Sequence, residues 1–188
     1  ATYRNINAML NPLPTRSVRA LHRRDDPCWS KAQTLATGAG THMAYRVHGA
    51  ADGTPWLVLH GGPGSGCHPG LLRDFDPARH RVIAPDQRGS GASTPRGSTR
   101  ANTTSRLVAD LELLRCSLGI ARWSVLAGSW GTVLALRYAD AHPGAIDQVM
   151  MRGAFGLTRA EIEGVLLRLP NGQASGHLPR CWPRACYA

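Results

Sequence analysis

Three short apolar runs constrain this chain most: Trp56-Leu57-Val58-Leu59, Arg81-Val82-Ile83-Ala84 and Trp123-Ser124-Val125-Leu126. None alternates apolar with polar residues in the manner of a half-exposed strand, so each suits a strand buried on both faces. Between the second and third lies a helix signal. Asn102, Thr103 and Thr104 offer N-caps, Leu107, Val108, Leu111, Leu114 and Leu118 fall on one face, and Gly119 stops the run. A second helix is expected from about Trp130 to just before His142-Pro143, and Gln148–Met151 reads as one more strand. Upstream, Gln33–Ala36 and His42–His48 read as an antiparallel pair around Gly38-Ala39-Gly40. Strands alternating with helices predict an α/β fold, a mostly parallel, doubly wound sheet flanked by helices.

Length and composition bound what such a sheet belongs to. The 188 residues suit one domain, and 43% hydrophobic against 18% charged residues exclude a disordered chain. No run of about 18 uncharged apolar residues is present, so no membrane-spanning helix is expected. Residues 1–31 scatter arginines among prolines with no apolar stretch; they read as an irregular arm rather than a secretory signal. The core is expected over residues 32–157. Within 158–188, Thr158-Arg159-Ala160-Glu161 opens a helix reaching Leu169, and the remainder is aperiodic. Five cysteines (Cys28, Cys67, Cys116, Cys181, Cys186) form no CxxC pair, which suggests reduced thiols in a cytoplasm and no metal site.

The net charge of +10 raises nucleic-acid binding, but its distribution argues against it. Residues 32–151 carry 11 basic and 8 acidic side chains, and the two ends supply most of the excess. A nucleic-acid surface concentrates its charge on one element. Of the 22 basic residues only Lys31 is a lysine, a bias that gene composition explains as readily as function.

Chemistry concentrates at Ala127-Gly128-Ser129-Trp130-Gly131, between the third apolar run and the second helix. A serine in a sharp strand-to-helix turn presents its hydroxyl above the sheet edge, and the turn needs small neighbours, which Ala127, Gly128 and Gly131 supply. The helix that follows aims its N-terminal amides at any oxyanion formed there. His60-Gly61-Gly62-Pro63-Gly64 follows the first apolar run directly, where Gly62 is placed to donate a second backbone amide. The same glycines lack the Lys-Ser/Thr of a phosphate loop. After the second run, Asp86-Gln87-Arg88-Gly89-Ser90-Gly91-Ala92-Ser93 reads as a tight loop held by charged hydrogen bonds from Asp86 and Arg88.

Together these segments resemble the prolyl iminopeptidases, serine peptidases of the alpha/beta-hydrolase fold. The likeness runs through HGGPG, DQRGSGAS, Asn102-Thr103-Thr104, Asp110-Leu111-Glu112-Leu113-Leu114-Arg115, Trp123–Gly131 and Leu134–Ala139, and ends near Met151-Arg152-Gly153-Ala154-Phe155. It implies Ser129 as nucleophile, the backbone amides of Gly62 and Trp130 as oxyanion hole, and a peptide with N-terminal proline as substrate. No cofactor or metal is implied. The resemblance also implies parts this sequence lacks. The fold orders its triad as Ser, then acid, then His. After Ser129 the histidines are His142, at the far end of the helix that Ser129 opens, and His177, in the aperiodic tail after Glu161 and Glu163. The expectation is therefore the N-terminal part of the fold, with late strands, triad acid and histidine, and most of the helical cap missing. The tail after Pro170 reads as out-of-frame translation. An esterase, a broader aminopeptidase and a non-catalytic remnant are the alternatives, and an exposed sheet edge with poor solubility and no peptidase activity is the expected consequence.

Overall fold

The computed structural model describes residues 30–62 and 64–154. Six strands form one sheet: β1 (Gln33–Gly38), β2 (Thr41–Gly49), β3 (Thr54–Leu59), β4 (His80–Pro85), β5 (Trp123–Gly128) and β6 (Ile146–Arg152). Two α-helices accompany the sheet among the described residues, α1 (Thr104–Ser117) and α2 (Trp130–Ala141). The strand order is β1-β2-β4-β3-β5-β6. Pairing is antiparallel for β1–β2 and β2–β4, and parallel for β4–β3, β3–β5 and β5–β6. The three apolar runs occupy the three adjacent strands β4, β3 and β5, as their lack of alternation requires. Most of the expected arm, the expected helix at Thr158, His177 and the tail lie outside the described residues.

Where the helices sit follows from crossover handedness. The steps β4→β5 and β5→β6 move across the sheet in one direction, and right-handed crossovers in one direction deposit their helices on one face. Accordingly α1 and α2 share a core with that face: Leu107, Leu111, Leu114, Leu134 and Tyr138 pack with Leu57, Leu59, Ile83, Trp123 and Val125. The step β3→β4 moves the opposite way, so residues 60–79 cross the other face. There a 3-10 turn, Pro69–Leu72, supplies Leu72 to a second cluster with Trp56, Val58, Val82 and Leu126. The doubly wound expectation thus takes an asymmetric form, with both described helices on one side. Each such aliphatic side chain withdrawn from water contributes roughly 1.5–3 kcal/mol.

Local chemistry fixes the helix ends. Thr103 Oγ1 accepts from Arg106 N at 3.3 Å and caps α1. At the other end Gly119 adopts φ +65°, Gly119 N donates to Cys116 O, and Ile120 N donates to Arg115 O, which is a Schellman motif. Among the described residues β6 forms one edge of the sheet and exposes Met150 (52%) and Met151 (43%).

Candidate active site

The carboxyl ends of β3 and β5 lie side by side, and the chain leaves them in opposite directions across the sheet. Such a switch point opens a crevice, the usual ligand site of open α/β sheets. Ser129 stands at its rim. Its backbone is left-handed, φ +51° and ψ −123°, a conformation costing a non-glycine residue about 1–3 kcal/mol. The turn is held on both sides: Ser129 N donates to Arg152 O at 3.0 Å, and Ser129 O accepts from Thr132 N and Thr132 Oγ1. The serine is exposed, and although it occupies the N-cap of α2 its hydroxyl caps nothing.

Two glycines allow this turn to press against the end of β3. A Cβ on Gly131 would fall 2.5 Å from Leu59 O and 2.9 Å from His60 O. A Cβ on Gly61 would fall 3.1 Å from Ser129 Cβ and 3.7 Å from Ser129 Oγ. The loop that begins His60-Gly61-Gly62 therefore lies directly beside the serine. Gly62 is exposed with φ +119°, and Pro63 lies outside the described residues.

The support beneath this rim was not foreseen from the sequence. His60 is 2% exposed, and its ring is wholly engaged. Nε2 accepts from Gln87 N at 3.1 Å, and Nδ1 lies 2.8 Å from Gly61 O and 3.3 Å from Gly66 N. Ser90 Oγ lies 3.2 Å from Nε2. Burial pushes the His60 pKa below the usual histidine value, which keeps the ring neutral. The Gln87 side chain, also buried, donates from Nε2 to His60 O at 2.9 Å and accepts from Trp130 Nε1 at 3.2 Å. The available signal was positional: His60 and the Asp86-Gln87 pair directly follow the parallel neighbours β3 and β4, so two polar groups end adjacent buried strands.

The loop after β4 has the structural role expected of it. Asp86 accepts from Cys67 N (2.7 Å), Ala92 N (2.9 Å) and Arg46 Nη1 (3.3 Å). Gly91, at φ +52°, approaches so closely that a Cβ would fall 2.3 Å from Asp86 Cγ. Arg88 forms a two-pronged buried pair with Asp110 of α1, Nε–Oδ2 2.5 Å and Nη2–Oδ1 2.7 Å. It also donates to Thr41 Oγ1 and Thr37 O, both at 2.7 Å.

No histidine hydrogen-bonds Ser129 Oγ among the described residues. His60 is turned to its own loop, and His142 is the C-cap of α2, its ring tilted against Tyr138 with ring centroids 5.2 Å apart. It lies 13 residues after Ser129, about 20 Å along the axis at the ~1.5 Å rise of a helix.

A strand–elbow–helix serine at the switch point of a mostly parallel sheet defines a class, and comparison with known proteins gives it a name. The model for the alpha/beta hydrolase fold matches residues 54–175, and the chain belongs to that family. Within it the chain is similar to the proline iminopeptidases. It is 42% identical over 170 residues to a probable proline iminopeptidase of Streptomyces coelicolor, covering 80% of this chain and 53% of that protein. Among solved structures it superposes with TM-score 0.57 on a proline iminopeptidase-related protein of Thermus thermophilus, at 32% identity, over 64% of this chain and 43% of the other. It also superposes with TM-score 0.56 on an epoxide hydrolase from hot-environment metagenomes, at 29% identity, over 64% and 41% of the two chains. The chain spans about half the length of the curated relatives it matches.

Proposed function

We propose that this chain is the nucleophile-bearing part of a serine aminopeptidase that releases proline from the N-terminus of peptides. The observation that carries the reading is the exposed, left-handed Ser129 pressed against the glycine loop of β3 at the switch point. The substrate follows from the proline iminopeptidases, which match in sequence at 42–50% identity.

In this reading Ser129 Oγ attacks the carbonyl carbon of the first peptide bond. The backbone amides of Gly62 and Trp130 receive the oxyanion, the peptide leaves with its new amino terminus, and water releases the prolyl group from the acyl-enzyme. A serine hydroxyl needs a histidine to take its proton and an acid to orient that histidine. No described residue fills either role, and turnover of proline arylamides by this chain is not expected. Cys67 and Cys116 are free thiols, which suits a cytoplasmic location.

The test is labelling with a fluorophosphonate, with and without imidazole as an external base. Oxyanion stabilisation survives loss of the triad partners, so slow labelling confined to Ser129 and accelerated by imidazole is expected. Ser129→Ala abolishes it. Equal labelling of the Ser129→Ala variant refutes the nucleophile, and Ser129-dependent hydrolysis of a proline arylamide without imidazole refutes the inactivity.

A further inference from the structure

We propose that Gln87 is a positioning residue that sets the spacing of the two loops carrying the candidate oxyanion donors, an inference that rests on the aminopeptidase reading above. Gln87 lies two residues beyond β4, separated from both of those loops in the chain. Its side chain nevertheless reaches across the end of β3 to the first turn of α2. The amide nitrogen donates to His60 O and the amide oxygen accepts from the Trp130 indole, over sequence separations of 27 and 43 residues. A primary amide both donates and accepts from opposite corners of a rigid plane, and no apolar side chain of the same size does either.

Each end of this bridge is one step from a donor. His60 is gripped twice, at its carbonyl by the Gln87 side chain and at Nε2 by the Gln87 backbone N–H. Its Nδ1 in turn lies 2.8 Å from the Gly61 carbonyl oxygen, and a planar peptide directs the Gly62 N–H opposite to that carbonyl. At the other end the gripped indole belongs to the residue whose own backbone N–H is the second donor. The indole and Gln87 are both buried, so water does not compete for these bonds. An oxyanion hole works only with its donors about 2.7–3.1 Å from the developing charge. A displacement near 1 Å costs up to about 100-fold in rate.

The experiment compares the chain with Gln87→Met and Gln87→Glu by amide and indole NMR, alongside fluorophosphonate labelling in imidazole. Methionine removes both ends of the bridge. Glutamate keeps the acceptor for Trp130 and loses the donor to His60 O. In Gln87→Met the Trp130 indole N–H is expected to exchange at least 10-fold faster, with the Gly61, Gly62 and Trp130 amide resonances displaced. In Gln87→Glu the indole exchange stays within 2-fold of the parent while Gly61 and Gly62 still move. A general packing role does not divide the two loops in this way. Labelling of Ser129 is expected to fall at least 10-fold in both variants at a temperature where both remain folded. Unmoved Gly62 and Trp130 resonances overturn the proposal, as does undiminished labelling in variants whose loops have moved. If the parent chain does not label at all, the aminopeptidase reading fails, and the NMR pattern alone decides whether Gln87 sets the spacing.

Discussion

Replacing Arg88 by methionine isolates a buried electrostatic commitment of the fold. Methionine keeps much of the volume but removes four donated hydrogen bonds, two to Asp110 and one each to Thr41 Oγ1 and Thr37 O. Asp110 is 4% exposed and is left as a buried charge without its counter-ion. Breaking one side of a buried pair costs about 3–5 kcal/mol. For a chain of this size that corresponds to a fall in midpoint of about 6–20 °C. The deficit carries a pH signature. Burial already pushes the Asp110 carboxyl above its ordinary value, and hydrogen bonding from Arg88 is the main opposing influence. Without Arg88 the folded pKa rises further, and the folded state binds a proton that the unfolded state releases. Stability of the variant relative to the parent therefore recovers as pH falls through that raised pKa, by up to about 1.4 kcal/mol per unit, until the parent's own raised Asp110 carboxyl also takes up its proton. Urea unfolding at pH 8, 6 and 5, followed by tryptophan fluorescence, measures this directly. Arg88→Met combined with Asp110→Leu should restore most of the loss at pH 8. A deficit below about 1 kcal/mol, or one that does not change with pH, refutes the reasoning.

Glu112 offers the opposite sign. Hydrogen bonds from Arg115 and Tyr138 hold its carboxyl at about 2, below its unfolded value, so its contribution is complete above pH ~4.5 and is lost as pH falls toward 2. Glu112→Gln should lose about 1.5–3 kcal/mol at pH 7 and show a flatter acid limb in unfolding titrations. Gly131→Ala sets helix propensity, worth up to about 1 kcal/mol in favour of alanine, against a Cβ 2.5 Å from Leu59 O. The clash is with backbone and should win, giving a net loss in denaturant midpoint. Ser129→Gly removes the strain of the left-handed turn and should raise stability by about 1 kcal/mol in the same assay while ending fluorophosphonate labelling.

What the sequence disclosed was set by local and periodic forces. The short, mainly apolar runs became β3, β4 and β5, the caps at Thr103 and Gly119 closed α1, and the small residues around Ser129 marked the elbow. What it withheld depends on side chains meeting across long separations. Nothing near Gln87 in the chain signals that it bridges residues 60 and 130. Asp110 gave a partial signal: an acid beside Leu111 on the apolar stripe with Leu107 and Leu114 implies a buried cation, yet not which arginine. The placement of both helices on one face follows from the order of strands in the sheet, which periodicity does not encode.

One bond at the elbow has a bearing on how the chain is made. Ser129 N is held by the carbonyl of Arg152, a residue synthesised 23 positions later. At roughly 5–20 residues per second the ribosome needs about 1–5 s to add them. During that interval β5 has no β6 beside it, and the serine lacks the contact that fixes its left-handed turn. The elbow's shape is thus a late product of translation, finished by the last described strand rather than by the residues that spell it.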